Sequence, residues 1–310
     1  MHQIIRKAFT LIELLVVIAI IGILSGLIVV SMGGMTQKAT ITKAQVFSNS
    51  LRNSLLNNIV AQYSFDDITD YNTSTKVLNS TAGNVPDSWS TNEGQAYGGP
   101  ILKEGNDCVS GKCLSFDGNS DYVNCGNKPN LKDMSALTIE AWIKGVSYVH
   151  YAGVVSKWSW HNQQHYDFGY FENGSSSKLG NIFFGVASTL TDDTGLDSIA
   201  SITNLDLNKW YHVVGSFEGS SFLKIYINGI LDNSKGTTTT KISNGSYNTA
   251  IGVYANYFFN GIIDNVRIYN ATIQASQIKE NYYSGLNSLF INGGITKEEY
   301  LSRINSYAKN

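Results

Sequence analysis

The residue that stands out chemically is a carboxylate in an apolar setting. Glu13 lies near the start of an uncharged run from Leu11 to Met32 that it alone interrupts with charge. A carboxylate in hydrocarbon is costly, so Glu13 calls for a cationic partner. Thiols form the second group. Cys108 and Cys113 flank four residues, a loop that a hairpin turn can close, and Cys125 lies twelve residues beyond Cys113. In an exported domain a Cys108–Cys113 disulfide is favoured, with Cys125 as a small buried thiol; Cys113–Cys125 across a hairpin centred on Asn119 is the competing pair. Aromatic side chains form the third. Trp158 and Trp160 lie two apart in the stretch from Lys157 to Tyr170, and Tyr254, Tyr257 and Phe258 cluster further on. Such rings can stack on sugars, although alternating aromatics in strands equally suit a core. His161 and His165 are four apart, a metal-ligand spacing only on a helix. This region reads as strand and loop, so they are taken as polar loop residues.

Catalytic patterns are missing from the sequence. Glycoside hydrolysis needs two facing carboxyls, and Glu140 stands alone on its expected strand. There is no Gly-x-Ser-x-Gly nucleophile turn, no phosphate loop and no zinc-type Cys/His spacing. The formal net charge of −2, with no stripe of Lys and Arg, gives nucleic acid no electrostatic footing.

The elements that must position these groups differ along the chain. Residues 11–32 are long enough to span a bilayer, and Arg6 and Lys7 before them place the amino terminus on the cytoplasmic side. Ile41, Ala44, Phe47, Leu51, Leu55 and Ile59 recur at helical intervals, which predicts one helix from Phe9 to about Gln62, roughly 80 Å long. From Tyr63 onward short alternating runs predict strands. The best is Phe222 to Ile227, followed by the turn Asn228-Gly229 and a return strand. Many strands with few helices indicate an antiparallel two-sheet sandwich. Gln274 to about Gly285 and a segment opening at Thr296 read as helices, the second with Thr296 and Glu299 as a capping box.

The stretch Lys7-Ala-Phe-Thr-Leu-Ile-Glu-Leu-Leu-Val-Val-Ile-Ala-Ile20 resembles the cleavage and methylation motif of type IV pilins and type II secretion pseudopilins. The resemblance implies that a prepilin peptidase cuts between Ala8 and Phe9 and that the new amino group of Phe9 is methylated. Ala8 departs from the usual Gly before the cut, though it is also small. The cleaved amine supplies the cation that Glu13 lacks, so Glu13 of one subunit and Phe9 of its neighbour set the register of assembly.

Three later stretches are similar to the laminin-G-like, concanavalin A-like jelly roll: Cys113–Lys144, Trp210–Ile230 and Phe259–Asn270. Members of that family are mostly binding modules, many for glycans, and several hold calcium. The resemblance implies a calcium site from Asp117, Asn119 and Asp121 in one turn, with Asp264 from across the fold; the alternative is that Asp117 and Asp121 only bond turn amides. Trp158, Trp160, Tyr254 and Tyr257 are the candidate ligand-binding residues.

The chain is thus expected to divide into a leader (1–8), a pilin helix (9–62, with 9–32 in the membrane or filament core), an all-β jelly roll (63–283) and a helical tail (284–310). The function implied is a minor or large pilin of a type IV pilus-like filament, displaying a non-catalytic, glycan-binding adhesive head. Its partners would be other pilins, the prepilin peptidase and assembly machinery, the membrane, and surface glycans or proteins. It would sit in the cytoplasmic membrane as a single-pass precursor with the head outside, then in an extracellular pilus. A pseudopilin in a periplasmic pseudopilus is the alternative, and a surface-anchored glycan hydrolase the second.

Overall fold

Strict alternation is visible in Ala136–Gly145. Leu137, Ile139, Ala141 and Ile143 share one face and join the main core, whereas Glu140 and Trp142 point the other way. That period of two makes each such run a strand with an inner and an outer face. A computed structural model describes residues 58–159, 163–171, 180–188 and 196–307. Residues 9–57 of the expected stem helix, the Ala8–Phe9 junction and Glu13 lie outside them, as do Trp160 and His161. No helix among the described residues is long and apolar enough to cross a membrane.

Among these residues the strands are, in chain order, β1 (Ile59–Tyr63), β2 (Gln95–Tyr97), β3 (Ile101–Glu104), β4 (Lys112–Asp117), β5 (Tyr122–Gly126) and β6 (Ala136–Gly145). There follow β7 (Gly153–Ser159), β8 (Gln163–Phe171), β9 (Asn181–Ala187), β10 (Leu196–Ala200), β11 (Tyr211–Glu218) and β12 (Phe222–Ile227). The last are β13 (Ile230–Gly236), β14 (Thr249–Ile251), β15 (Val253–Tyr254), β16 (Tyr257–Phe258) and β17 (Asn260–Tyr269), before helices α1 (Ala275–Ile291) and α2 (Lys297–Tyr307). One sheet has the order β13-β12-β11-β6-β17-β4-β3, with β1 also on β17; the other has the order β10-β9-β8-β7-β14-β5-β2. All pairings are antiparallel, and Phe168 and Phe184 of the second sheet meet edge to face inside the core at 5.9 Å. Asn228 and Gly229 both take positive φ (52° and 78°), the conformation a two-residue hairpin between β12 and β13 demands.

Two boundaries differ from expectation. Ile59–Tyr63 is a strand and not the end of a helix: Ile59, Ala61, Gln62 and Tyr63 pair with Tyr269, Ile268, Arg267 and Val266. The spacing of Ile59 from Leu55 suits a helix, but the β-branched pair Ile59-Val60 suits a strand better. The C-terminal half of β17, past the reach of β4, also gains a partner there. At the other end the predicted division at 283/284 falls inside α1, a single helix through Ile291. Its Ile278, Tyr282, Leu286 and Leu289 are buried at helical spacing. Gly293 (φ 74°) ends the helix, and the Glu299 amide then donates to Thr296 Oγ1 at 3.2 Å to open α2.

The outer faces of the two sheets differ. Trp142 on the eight-stranded sheet stacks on Tyr282 of α1 with centroids 5.7 Å apart, so the helical tail roofs that face. The outer face of the seven-stranded sheet carries the short β15–β16 hairpin instead.

Candidate functional site

The four expected calcium ligands are not brought together. Asp117 Oδ1 accepts the amides of Asn119, Ser120 and Asp121 at 2.8–3.1 Å, and the Asp117 amide donates to Asp121 Oδ2 at 3.0 Å. Desolvation pushes the Asp117 carboxyl up, yet those amides together hold it below its ordinary value. Burial, and then the charge of Asp117, push Asp121 up to about 6. Both therefore act as turn carboxyls. Asp264 is elsewhere: Asp117 pairs with Asn260, and Asp264 lies four residues further along β17, about 13 Å away. Asp264 Oδ2 accepts the amides of Val109 and Ser110, and its carboxyl is held well above the usual range by burial. Those amides belong to the loop closed by a Cys108–Cys113 disulfide, while Cys125 is a buried thiol pushed up to about 12 by desolvation. Among the described residues no three His, Cys, Asp or Glu side chains are placed to hold a metal ion.

Glu140 is not isolated. It lies under α1, 1% exposed, where Oε1 meets Arg267 Nη1 at 2.7 Å and accepts the Tyr269 hydroxyl at 2.9 Å. Asn281 of α1 donates to both its oxygens, and His212 Nε2 is 3.5 Å from Oε2. Burial opposes ionisation, but Arg267 and then His212 hold the carboxyl well below the usual range. The sequence concealed this because the partners lie 72–141 positions away. The cluster pairs one carboxylate with a guanidinium, a phenol, an amide and an imidazole, an arrangement that ties the helix to the sheet.

The aromatic residues converge on the outer face of the seven-stranded sheet. On β8, Tyr166, Phe168 and Tyr170 join the core, so His165, Asp167 and Gly169 face outward. The β15–β16 hairpin lies against β7 at Gly153, where a Cβ would come within 2.4 Å of the Val253 carbonyl. That contact sets Tyr254 and Tyr257 beside Tyr151: Tyr254 and Tyr257 are near-parallel at 6.3 Å, and Tyr151 is 5.9 Å and 6.1 Å from them. His150 lies 5.6 Å from Tyr257, and Phe183 of β9 6.4 Å from Tyr151. Tyr151 takes φ 53°, a costly conformation for a bulky residue, and the tyrosine and its two hairpin neighbours are half-buried. Of the expected ligand residues, Tyr254 and Tyr257 are thus together. Trp160 lies outside the described residues, and Trp158 is described only by its backbone, paired with Gln164.

Asp167 was missed. It is 4% exposed, and its register partners are Ser156 and Gly185. Glycine offers nothing, and the Ser156 hydroxyl is committed to the Val253 carbonyl at 2.6 Å. Asp167 Oδ1 is left with no hydrogen bond among the described residues, and burial holds the carboxyl well above its ordinary range. Alternation along Gln163–Phe171 could have shown that Asp167 faces away from the core, but not that its neighbours leave it unpaired. His165, expected in a loop, is a fully buried strand residue bonded through Nδ1 to Ser243; burial, then Lys157, lowers it to about 4.

The profile of the concanavalin A-like lectin/glucanases superfamily matches residues 117–279, and that of the prokaryotic N-terminal methylation motif matches residues 5–29. Among solved structures, the binding domain of Paraclostridial Mosquitocidal Protein 1 is similar with a TM-score of 0.55 and 15% identity, covering 75% of this chain and 53% of that one. The binding domain of botulinum neurotoxin serotype D gives a TM-score of 0.51 and 13% identity, covering 76% and 52%. The chain spans about half the length of these two structures, and at such identity the likeness is one of fold. No curated protein matches the chain. The first profile takes in more than half of the 310 residues, and with it the chain belongs to the concanavalin A-like lectin/glucanase superfamily, joined here to a prokaryotic N-terminal methylation motif.

Proposed function

We propose that this chain is a minor or large pilin of a type IV pilus-like filament and that its head binds glycans on the outer face of the seven-stranded sheet. One observation carries the reading: a methylation motif and a lectin-like sandwich occur in one chain, and the sandwich sets a half-buried aromatic cluster on a face that the described helices do not cover. Tyr254, Tyr257 and Tyr151 offer ring surface to the C–H faces of a sugar. The motif implies processing by a prepilin peptidase and a membrane-anchored precursor that assembles with other pilins. The head is read as non-catalytic, because Glu140 has no second carboxylate among its described partners.

The test is a glycan array probed with residues 55–310, which form a compact unit, with and without a chelator. Binding that falls at least tenfold in Tyr257→Ala supports the reading, and the chelator arm tests calcium separately. No binding to any glycan leaves a purely structural subunit.

A further inference from the structure

The rings on the outer face do not stop at the Tyr151 cluster. Tyr97 on edge strand β2 and Tyr122 on β5 are register partners, stacked at 4.9 Å with planes 10° apart. Tyr122 lies 6.2 Å from Phe258, which shares β16 with Tyr257. Ring contacts therefore run from β2 through β5, along the hairpin that overlies β7, to Tyr151 and Phe183 of β9. Tyr97, Tyr122, Phe258, Tyr257, Tyr254 and Tyr151 are each half-buried, so the line keeps surface open along its length. Beside it, register places Gln95, Asn124, Ala250, Ser156 and Asp167 in one row across five strands of the same face; Gln95 and Asn124 are half-buried, whereas Ser156 and Asp167 are buried. Asn124 uses its carbonyl oxygen on the Gly126 amide, and its amide N–H groups carry no hydrogen bond among the described residues. A cross-strand pair such as Tyr97–Tyr122 can merely stabilise an edge. That role does not require the rings to continue across the sheet or the amides of Gln95 and Asn124 to accompany them.

We propose that Tyr97, Tyr122 and Phe258 form a second ring platform, and that the ligand is a linear glycan of several consecutive sugar rings laid across the strands. A chain of pyranose or furanose rings has the matching chemistry, with repeated C–H faces for the aromatic line and hydroxyls along one side for the Gln95 and Asn124 amides. A single terminal sugar would engage the Tyr254–Tyr257 end alone. This inference rests on the glycan-binding reading above and specifies its substrate class.

The experiment uses the full chain in detergent, first on an array of linear oligosaccharides of one to eight units in each common linkage, then by calorimetry on the series that binds. Affinity is expected to rise about tenfold or more from two units to six, roughly the contribution of one further stacked ring. Tyr122→Ala is expected to abolish that gain while leaving the two-unit ligand within about twofold, whereas Tyr257→Ala weakens both. Since Tyr122→Ala unstacks Tyr97, Tyr122→Leu, which keeps the bulk without the ring, is measured with it, and a melting curve shows whether each variant is folded. Equal affinity for two and six units, or a folded Tyr122→Leu that binds six units as the parent does, overturns the second platform and leaves glycan binding intact. Failure of every glycan to bind overturns both.

Discussion

Asp167 and Glu140 are buried carboxyls that titrate in opposite senses. Asp167 is raised in the folded state, so the unfolded chain ionises first, and its contribution to stability is full below about pH 3.9 and is lost as pH rises. Asp167→Asn removes that loss. By denaturant unfolding, the variant is expected to gain on the parent by about 1.4 kcal/mol per pH unit between pH 4 and the folded-state value, the gap being wider at pH 7 than at pH 4.5. Glu140 is depressed, so its contribution is present above about pH 4.3 and is lost as pH falls. Glu140→Gln leaves the Arg267 guanidinium without its anion. That costs about 3 kcal/mol at pH 7, the low end for a broken buried pair, because the Arg267 side chain is 25% exposed and water can still reach it. A variant as stable as the parent at pH 7 would show that the Glu140–Arg267 pair does not stabilise the head. Neither role was legible in the sequence, where both residues are single acids among strand residues. Tyr254 and Tyr257 were legible as candidates, because a cluster so near in sequence has little room to separate. The sequence does not show that the Asp117 turn and Asp264 lie about 13 Å apart along β17.

At the scale of elements, Gly285 shows how packing overrides propensity. Alanine is the better helix former by about 1 kcal/mol. A Cβ at 285 would nevertheless come within 2.5 Å of the Trp142 ring, held between α1 and the sheet. Gly285→Ala is therefore expected to destabilise by about 1–3 kcal/mol, read from denaturant midpoints, whereas a gain would mean that α1 does not pack as described. Strand β1 makes a second case. A head begun at Ser64 lacks the pairing of Ile59–Tyr63 and the fully buried Tyr63, whose hydroxyl bonds the Asn92 carbonyl at 2.5 Å. Compared with a head begun at Leu55, it is expected to melt about 10 °C lower or to fail to fold. Equal melting would show that the sandwich does not need Ile59–Tyr63. Most strands were readable from their alternation, and the β12–β13 hairpin from its Asn-Gly turn. The strand character of Ile59–Tyr63 was masked because Ile59 also fits a helical stripe, and only the unpaired half of β17 decides between the two.

For the whole molecule, the head is a lectin-like sandwich whose described helices cover one face, and the proposed reading assigns the other to a ligand. In the same reading, the motif at residues 5–29 supplies the means to carry it outward. In that account Glu13 works only after cleavage between Ala8 and Phe9 has made its partner. Mass spectrometry of the mature protein is expected to find a methylated Phe9 at the amino terminus, and a chain still beginning at Met1 would contradict processing. The measurement that reaches the central claim most directly is gold labelling with antibody to the head, on filaments sheared from cells that express the parent chain or Glu13→Val. The account predicts labelled extracellular filaments for the parent and none for Glu13→Val, whose protein stays in the membrane. Label confined to the membrane fraction of parent cells, with no filament carrying it, would contradict the account.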